Sequence, residues 1–210
     1  MGQTLADGKY LETTQRSVSE EDTMFTCDSV TLRPLNVDDI ALIYEWEANI
    51  ELNVLSGWSQ KRSLAAFKHK YERRITEPED DRYMFGVQVE ERLIGYVELV
   101  MIDRFERRAF ISIVIGEKQL WGRGIGSTAL RILLDYAFTV QAMEKICAEV
   151  YGFNTRSQRL MERVGFQREG ILRQHEFHNG SRQDMHFFGI LKPEFYQRYE
   201  TIFSVPDEDT

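Results

Sequence analysis

Along residues 30–196 the spacing of apolar side chains changes repeatedly, and each change marks a predicted element. Val30 to Leu35 reads as a short strand stopped by Pro34. Residues 37–52 place Ile40, Ile43, Tyr44 and Trp46 at helical spacing behind an acidic start, and residues 63–76 predict a second helix, broken at Pro78. From Arg82 the period falls to two. Segments 82–89, 92–102 and 108–117, rich in Val, Ile, Tyr and Phe, are parted by turns at Glu90-Glu91 and Asp103-Arg104, the pattern of an antiparallel meander.

Glycines then open a helix whose Leu130, Ile132, Leu133 and Phe138 form its buried side. A strand over 145–151, a helix from Asn154 to Gly165 and two strands over 166–178 and 182–190 follow, with Pro193 starting a terminal helix. The last two strands meet at Asn179-Gly180, a dipeptide that favours the positive φ angles of a type I′ turn. The order β-α-α-β-β-β-α-β-α-β-β-α, a meander feeding a strand-helix-strand crossover, predicts an α+β fold. Its mixed, mostly antiparallel central sheet carries helices on both faces.

Outside this patterned stretch the chain is polar. Residues 1–28 show no period and read as a tail or extension, residues 29–197 as one domain, and residues 198–210 as the end of the last helix with an acidic tail. A length of 210 residues with 42% hydrophobic and 29% charged side chains suits a single globular core. The net charge of −8 lies mostly at the ends: residues 1–28 carry −4 and residues 205–210 carry −3, leaving −1 for 29–204. A nearly neutral body offers no basic face for a phosphate backbone, so nucleic acid is not expected as a partner. Cys27 and Cys147 are too few for a disulfide framework and lack metal-ligand spacing with the four histidines, so no metal is expected. No apolar run approaches the roughly 20 residues of a membrane helix and the first residues are polar, which predicts a cytoplasmic protein without membrane attachment.

The most informative stretch runs from Ile113 to Ala129, where a strand leads into Gly122, Gly124 and Gly126 and then a helix. Glycines let a ligand approach the main chain, and the first N–H groups of a helix lack internal partners, so this junction suits a phosphate or pyrophosphate. A P-loop is excluded because no Gly-Lys-Ser/Thr follows; Arg123 sits inside the loop instead. A dinucleotide site satisfies Gly124-x-Gly126-x-x-Ala129, with Glu149 near the ribose-binding position. Against it stand the preceding antiparallel strands and the short remainder of the chain.

A third reading rests on resemblance. Trp121-x-x-Gly124-x-Gly126, or the overlapping Gln119-x-x-Gly122-x-Gly124, resembles the acetyl-CoA loop of the GNAT superfamily of N-acetyltransferases. Thr31-Leu-Arg-Pro-Leu, Ile94-Gly-Tyr, Asn154-x-x-Ser157, Val164-Gly-Phe166, Arg168-Glu-Gly170 and Asn179-Gly180 extend the likeness, which is strongest to the branch containing the Rim-type protein N-terminal acetyltransferases.

The resemblance implies main-chain contacts from Ile113, Val114 and Ile115 to the pantetheine arm and thioester of acetyl-CoA. It also implies contacts from Trp121, Gly122, Arg123, Gly124, Ile125, Gly126 and Ser127 to the pyrophosphate. Asn154 would hold a pantetheine amide, besides capping its helix. Catalytic roles fall on Glu169 as base and Ser157 as acid. Where many relatives place a tyrosine acid, this chain has Met161. Glu98 and Asp103 are further candidates to face the amine, His175, His178 and His186 to line the pocket rim, and Tyr44, Trp46 and Trp58 to form an aromatic wall. The expected partners are acetyl-CoA and a primary amine, a protein N-terminus first and a polyamine or aminoglycoside second, with a homodimer consistent with the family. A CoA-binding module without turnover is the non-enzymatic alternative.

Overall fold

A computed structural model describes residues 24–57, 63–77 and 80–203. Its sheet contains β1 (Phe25–Cys27), β2 (Val30–Pro34), β3 (Tyr83–Val89), β4 (Arg92–Asp103), β5 (Arg108–Ile115), β6 (Lys145–Tyr151), β7 (Gln167–His178) and β8 (Ser181–Leu191). The eight strands lie in the order β1-β2-β3-β4-β5-β6-β8-β7, and every neighbouring pair is antiparallel except β5–β6. One parallel pair within a meander is incompatible with a doubly wound dinucleotide domain.

The helices are α1 (Ile40–Ala48), α2 (Ile50–Ser56), α3 (Leu64–Thr76), α4 (Ile125–Asp135), α5 (Thr155–Val164) and α6 (Lys192–Tyr196). Alternation along the strands gives the sheet two apolar faces. Val97, Leu99, Ala148 and Val150 pack with Leu130, Ile132 and Leu133 of α4, Val164 of α5 and Phe195 of α6. On the opposite face Tyr96 and Val114 pack with Ile43 and Trp46 of α1, Leu52 of α2 and Phe67 of α3.

The first helical stretch is divided where the sequence reading runs straight through. Asn49 leaves the helical region (ψ 122°) and its side chain accepts from the N–H groups of Glu51 and Leu52, so it ends α1 and caps α2. Asparagine competes with the helix for its own main chain, and here it redirects the chain without interrupting the apolar period. The two hairpin turns conform to expectation: Glu90 and Glu91, like Asn179 and Gly180, both have positive φ.

Described residues on both sides of the expected 29–197 domain pack onto the sheet, while residues 1–23 and 204–210 lie outside the described residues. Strand β1 pairs with β2, and Phe25 rests on Phe85, Tyr136 and Phe203. Three residues are too few to display a period. At the other end, the Asp135 carboxylate, 1% exposed, accepts from Tyr196 Oη at 2.8 Å, Thr201 Oγ1 at 3.0 Å and the Ile202 N–H at 2.6 Å. Residues 199–203 are thereby strapped to the core.

Candidate active site

Strands β5 and β6 run together only through Arg108–Lys145, Ala109–Ile146 and Phe110–Cys147. Beyond Phe110 they separate, and a cavity of about 660 Å³ opens between Ile111–Ile115 and Ala148–Tyr151. That volume suits a small-molecule site. Register decides which main-chain groups face it. Gly116 N–H donates to Ile94 O at 2.9 Å, and in an antiparallel ladder the same direction recurs every second residue, so the peptide groups of Val114 turn to β4. Gly95 must be glycine for this reason: a Cβ there would lie 2.2 Å from Val114 O. By the same alternation the peptide groups of Ile113 and Ile115 turn towards the cleft, which Val114 also lines.

At one end of the cleft lie the glycines. Gly122 (φ 77°) and Gly124 (φ 87°) adopt the left-handed region with open space where a side chain would project. Gly124 O accepts from Ser127 and Thr128 N–H, whereas no main-chain acceptor among the described residues takes the N–H groups of Gly122 to Gly126. Ser127 Oγ is buried and has no partner among the described residues. Free amides, a positive helix end and an orphaned hydroxyl form a cradle for an anion. Beside it, Trp121 Nε1 donates to Ile115 O at 2.8 Å, and the Arg156 guanidinium stacks 3.3 Å from the centre of the indole. Arg159 and Arg163, further along α5, also line the cleft. Arg123 does not; its side chain is exposed, so only its main chain belongs to the loop.

The other end is acidic. Glu98 of β4, Glu149 of β6 and Glu176 of β7 line it, together with Tyr96, Tyr151 and Leu52, Leu55 and Ser56 of α2. Glu98 alternates with Val97 and Leu99, and Glu149 with Ala148 and Val150, so both carboxylates project on the face that carries α1 to α3. Glu98 is occupied, accepting from Arg82 Nη1 at 2.7 Å and Ser112 Oγ at 2.8 Å. Burial pushes the Glu149 carboxyl up; the charge of His175 opposes this and that of Glu176 adds to it.

Ser157 and Asn154 line the cleft as expected. Asn154 Oδ1 accepts from Ser157 N–H at 3.1 Å, the predicted cap of α5, while Nδ2 donates to Leu55 O at 3.2 Å. Met161 lines the cleft without a hydroxyl.

Glu169 is not brought to this site. Lys145 Nζ donates to both its carboxylate oxygens, at the β6 end remote from the opening. Asp103 instead accepts from Phe105 and Glu106 N–H within its own turn. His175 and His186 do not line the cleft, and His178 is buried behind α2. Trp46 is core, with Gly116 against its indole, and Tyr44 packs on Phe67. Trp58 lies outside the described residues. The cleft-lining side chains that the sequence reading did not place there are Glu149, Glu176, Tyr151 and the α5 arginines. One signal was available: in Lys145–Tyr151 a lone carboxylate interrupts an apolar strand at alternating positions.

Residues 29–167 match the acetyltransferase (GNAT) domain family. The chain belongs to the GNAT acetyltransferase family. It is 31% identical over 173 residues to the spermidine N(1)-acetyltransferase of Vibrio cholerae, covering 81% of this chain and 98% of that protein. The crystal structure of spermidine N-acetyltransferase from Vibrio cholerae in complex with CoA and spermine superposes with a TM-score of 0.74 at 29% identity, covering 80% of this chain and 98% of that one. A dodecameric structure of the Vibrio cholerae enzyme gives a TM-score of 0.70 at 30% identity, covering 82% and 99%.

This acetyltransferase uses acetyl-CoA as cosubstrate, and its cleft fits that molecule. The orphaned Ser127 Oγ and the open amides of Gly122 to Gly126 suit the pyrophosphate, and the Ile113 and Ile115 peptide groups suit the pantetheine amides. Among the described residues no group of His, Cys, Asp and Glu is placed to hold a metal, and no helix is long and apolar enough to cross a membrane.

Proposed function

We propose that the protein acetylates a primary amine of a small polycation, of the polyamine class, by direct attack on the thioester of acetyl-CoA. The observation that carries this reading is the division of the cleft into a cationic loop end and an end lined by Glu98, Glu149 and Glu176. A polyamine presents several ammonium groups to Glu149 and Glu176, Glu98 being already paired with Arg82, whereas a protein N-terminus brings one. The likeness to a spermidine acetyltransferase supports the small amine over the protein N-terminal acceptor expected from the Rim-type motifs.

Acetyl-CoA supplies an activated acyl carbon. The residues of this chain must deprotonate the amine, polarise the thioester carbonyl and protonate the departing thiolate. Glu149 is the base: it lines the cleft, and desolvation raises its carboxyl above the ordinary value, which makes it the stronger proton acceptor. The N–H groups of Ile113 and Ile115 are the donors available along the opening for a developing oxyanion. Ser157, one helical turn before Met161, is the hydroxyl nearest in sequence to the missing tyrosine and is assigned the acid role. The dodecamer of the relative supports an assembly larger than the expected homodimer.

The test is thiol release from acetyl-CoA against spermidine, spermine, an aminoglycoside and peptides with free N-termini. Turnover highest with the polyamines upholds the reading. Faster turnover with peptides, or none with any amine, overturns it.

A further inference from the structure

The last turn of α2 is capped from far along the chain. A helix end leaves its final carbonyls without internal donors. Asn53 O is met by Gly57 N–H at 3.1 Å, but Val54 O and Leu55 O are met by side chains. His178 Nε2 lies 2.9 Å from Val54 O, and Asn154 Nδ2 donates to Leu55 O. A carbonyl only accepts, so the first bond requires the proton on Nε2. The ring is held in place by stacking on Tyr151, with centroids 4.9 Å apart and planes at 20°, and on Phe153 at 5.9 Å and 9°. The helix end also rests on Tyr151: a Cβ at Gly57 (φ 70°) would stand 2.6 Å from the Tyr151 hydroxyl.

This end of α2 carries Leu55 and Ser56 into the acidic part of the cleft, while His178 itself does not line the cleft. We propose that His178 is a positioning residue for the acceptor. Through the Val54 carbonyl it fixes the α2 wall against the β7–β8 hairpin, and so sets acceptor affinity without touching either substrate. Asn154 continues the connection, since one amide caps α5 beside the loop and ties α2. The inference rests on the amine-acetyltransferase reading, with the acceptor at the α2 end.

The experiment uses the full chain and two variants, with spermidine and acetyl-CoA varied independently. His178→Phe keeps a stacking ring and removes the donor; His178→Gln supplies an amide N–H near the same place. The expected result for His178→Phe is a KM for spermidine raised about ten-fold, with the KM for acetyl-CoA altered by less than about two-fold. His178→Gln restores most of the loss. Hydrogen exchange over residues 50–57 becomes faster in His178→Phe and not in His178→Gln, a readout independent of turnover. An unchanged spermidine KM, equal rises in both KM values, or unchanged exchange over 50–57 overturns the proposal. If the unmodified protein acetylates no amine, the functional reading and the acceptor role fall together, while unaltered exchange alone removes the positioning role of His178.

Discussion

Lys145 Nζ donates to both carboxylate oxygens of Glu169, at 2.7 and 2.8 Å. This pair sits at the start of β6, and Glu149 lies four residues further on, roughly 13 Å along the strand at about 3.3 Å per residue. The two glutamates therefore occupy different regions, and only Glu149 can meet an amine in the cleft. Glu169→Gln is expected to leave kcat/KM within about two-fold, and to change stability by no more than about 1 kcal/mol, as for other exposed pairs. Glu149→Gln is expected to lower kcat/KM by about 10²-fold or more. Because burial holds the Glu149 carboxyl above the ordinary value of 4.5, activity should fall as pH drops through that raised value, and the variant should lose this limb. A pH profile of kcat/KM for all three proteins checks both statements.

Gly124→Ala separates backbone strain from ligand contact. At φ 87° an alanine is strained by about 1 kcal/mol, yet its Cβ meets no protein atom within 4 Å. The open space is where the loop would face an anion. The expected result is a small loss in thermal stability with a rise of about ten-fold or more in the KM for acetyl-CoA. A variant that loses stability but binds acetyl-CoA normally would show that the glycine serves only the turn.

Asp135→Ala tests the C-terminal strap. It leaves Thr201 Oγ1 and the Ile202 N–H without this acceptor, while Thr139 Oγ1 and Tyr196 Oη keep only each other, 2.6 Å apart. Stranded polar groups of this kind cost about 2–4 kcal/mol together, which urea unfolding would read as a lowered midpoint. Limited proteolysis should then cut first within residues 197–203.

A stability profile against pH isolates Glu47, which accepts from Tyr71 Oη at 2.7 Å. Burial pushes its carboxyl above the ordinary 4.5, against that hydrogen bond and the charges of Lys70 and Arg74. The folded state thus holds the proton more tightly than the unfolded state. The resulting stability is full below about 4.5 and is lost as pH rises through the raised value. Glu47→Gln keeps an acceptor for Tyr71 and removes the titration. The stability of the unmodified protein relative to this variant should be greatest at acidic pH and shrink as pH rises, measured by urea unfolding from pH 4 to pH 8.

The meander, the crossover and the glycine loop were legible because each is written locally. Alternation in Tyr83–Ile115, the Asn179-Gly180 turn and the Gly122–Gly126 spacing need no knowledge of distant residues. What escaped depends on register and on remote partners. Val114 and Ile113 look alike in sequence, and only the pairing with β4 turns one peptide away from the cleft and the other into it. Glu169 belongs to the Arg168-Glu-Gly170 motif, but Lys145 claims it from across the sheet. His178 reads as a strand histidine until α2 arrives beneath it, and the Asn49 cap lies inside an unbroken apolar period.

The parting of β5 from β6 gives this protein a sheet edge in its interior. Edges normally occur at the outside, where exposed peptide groups invite another strand to add itself. Here the opening is lined by residues of α2 and α5, so a narrow chain with amides of its own can lie between the two strands. A ligand that bridges it completes the sheet and should raise the unfolding temperature in proportion to the logarithm of its concentration.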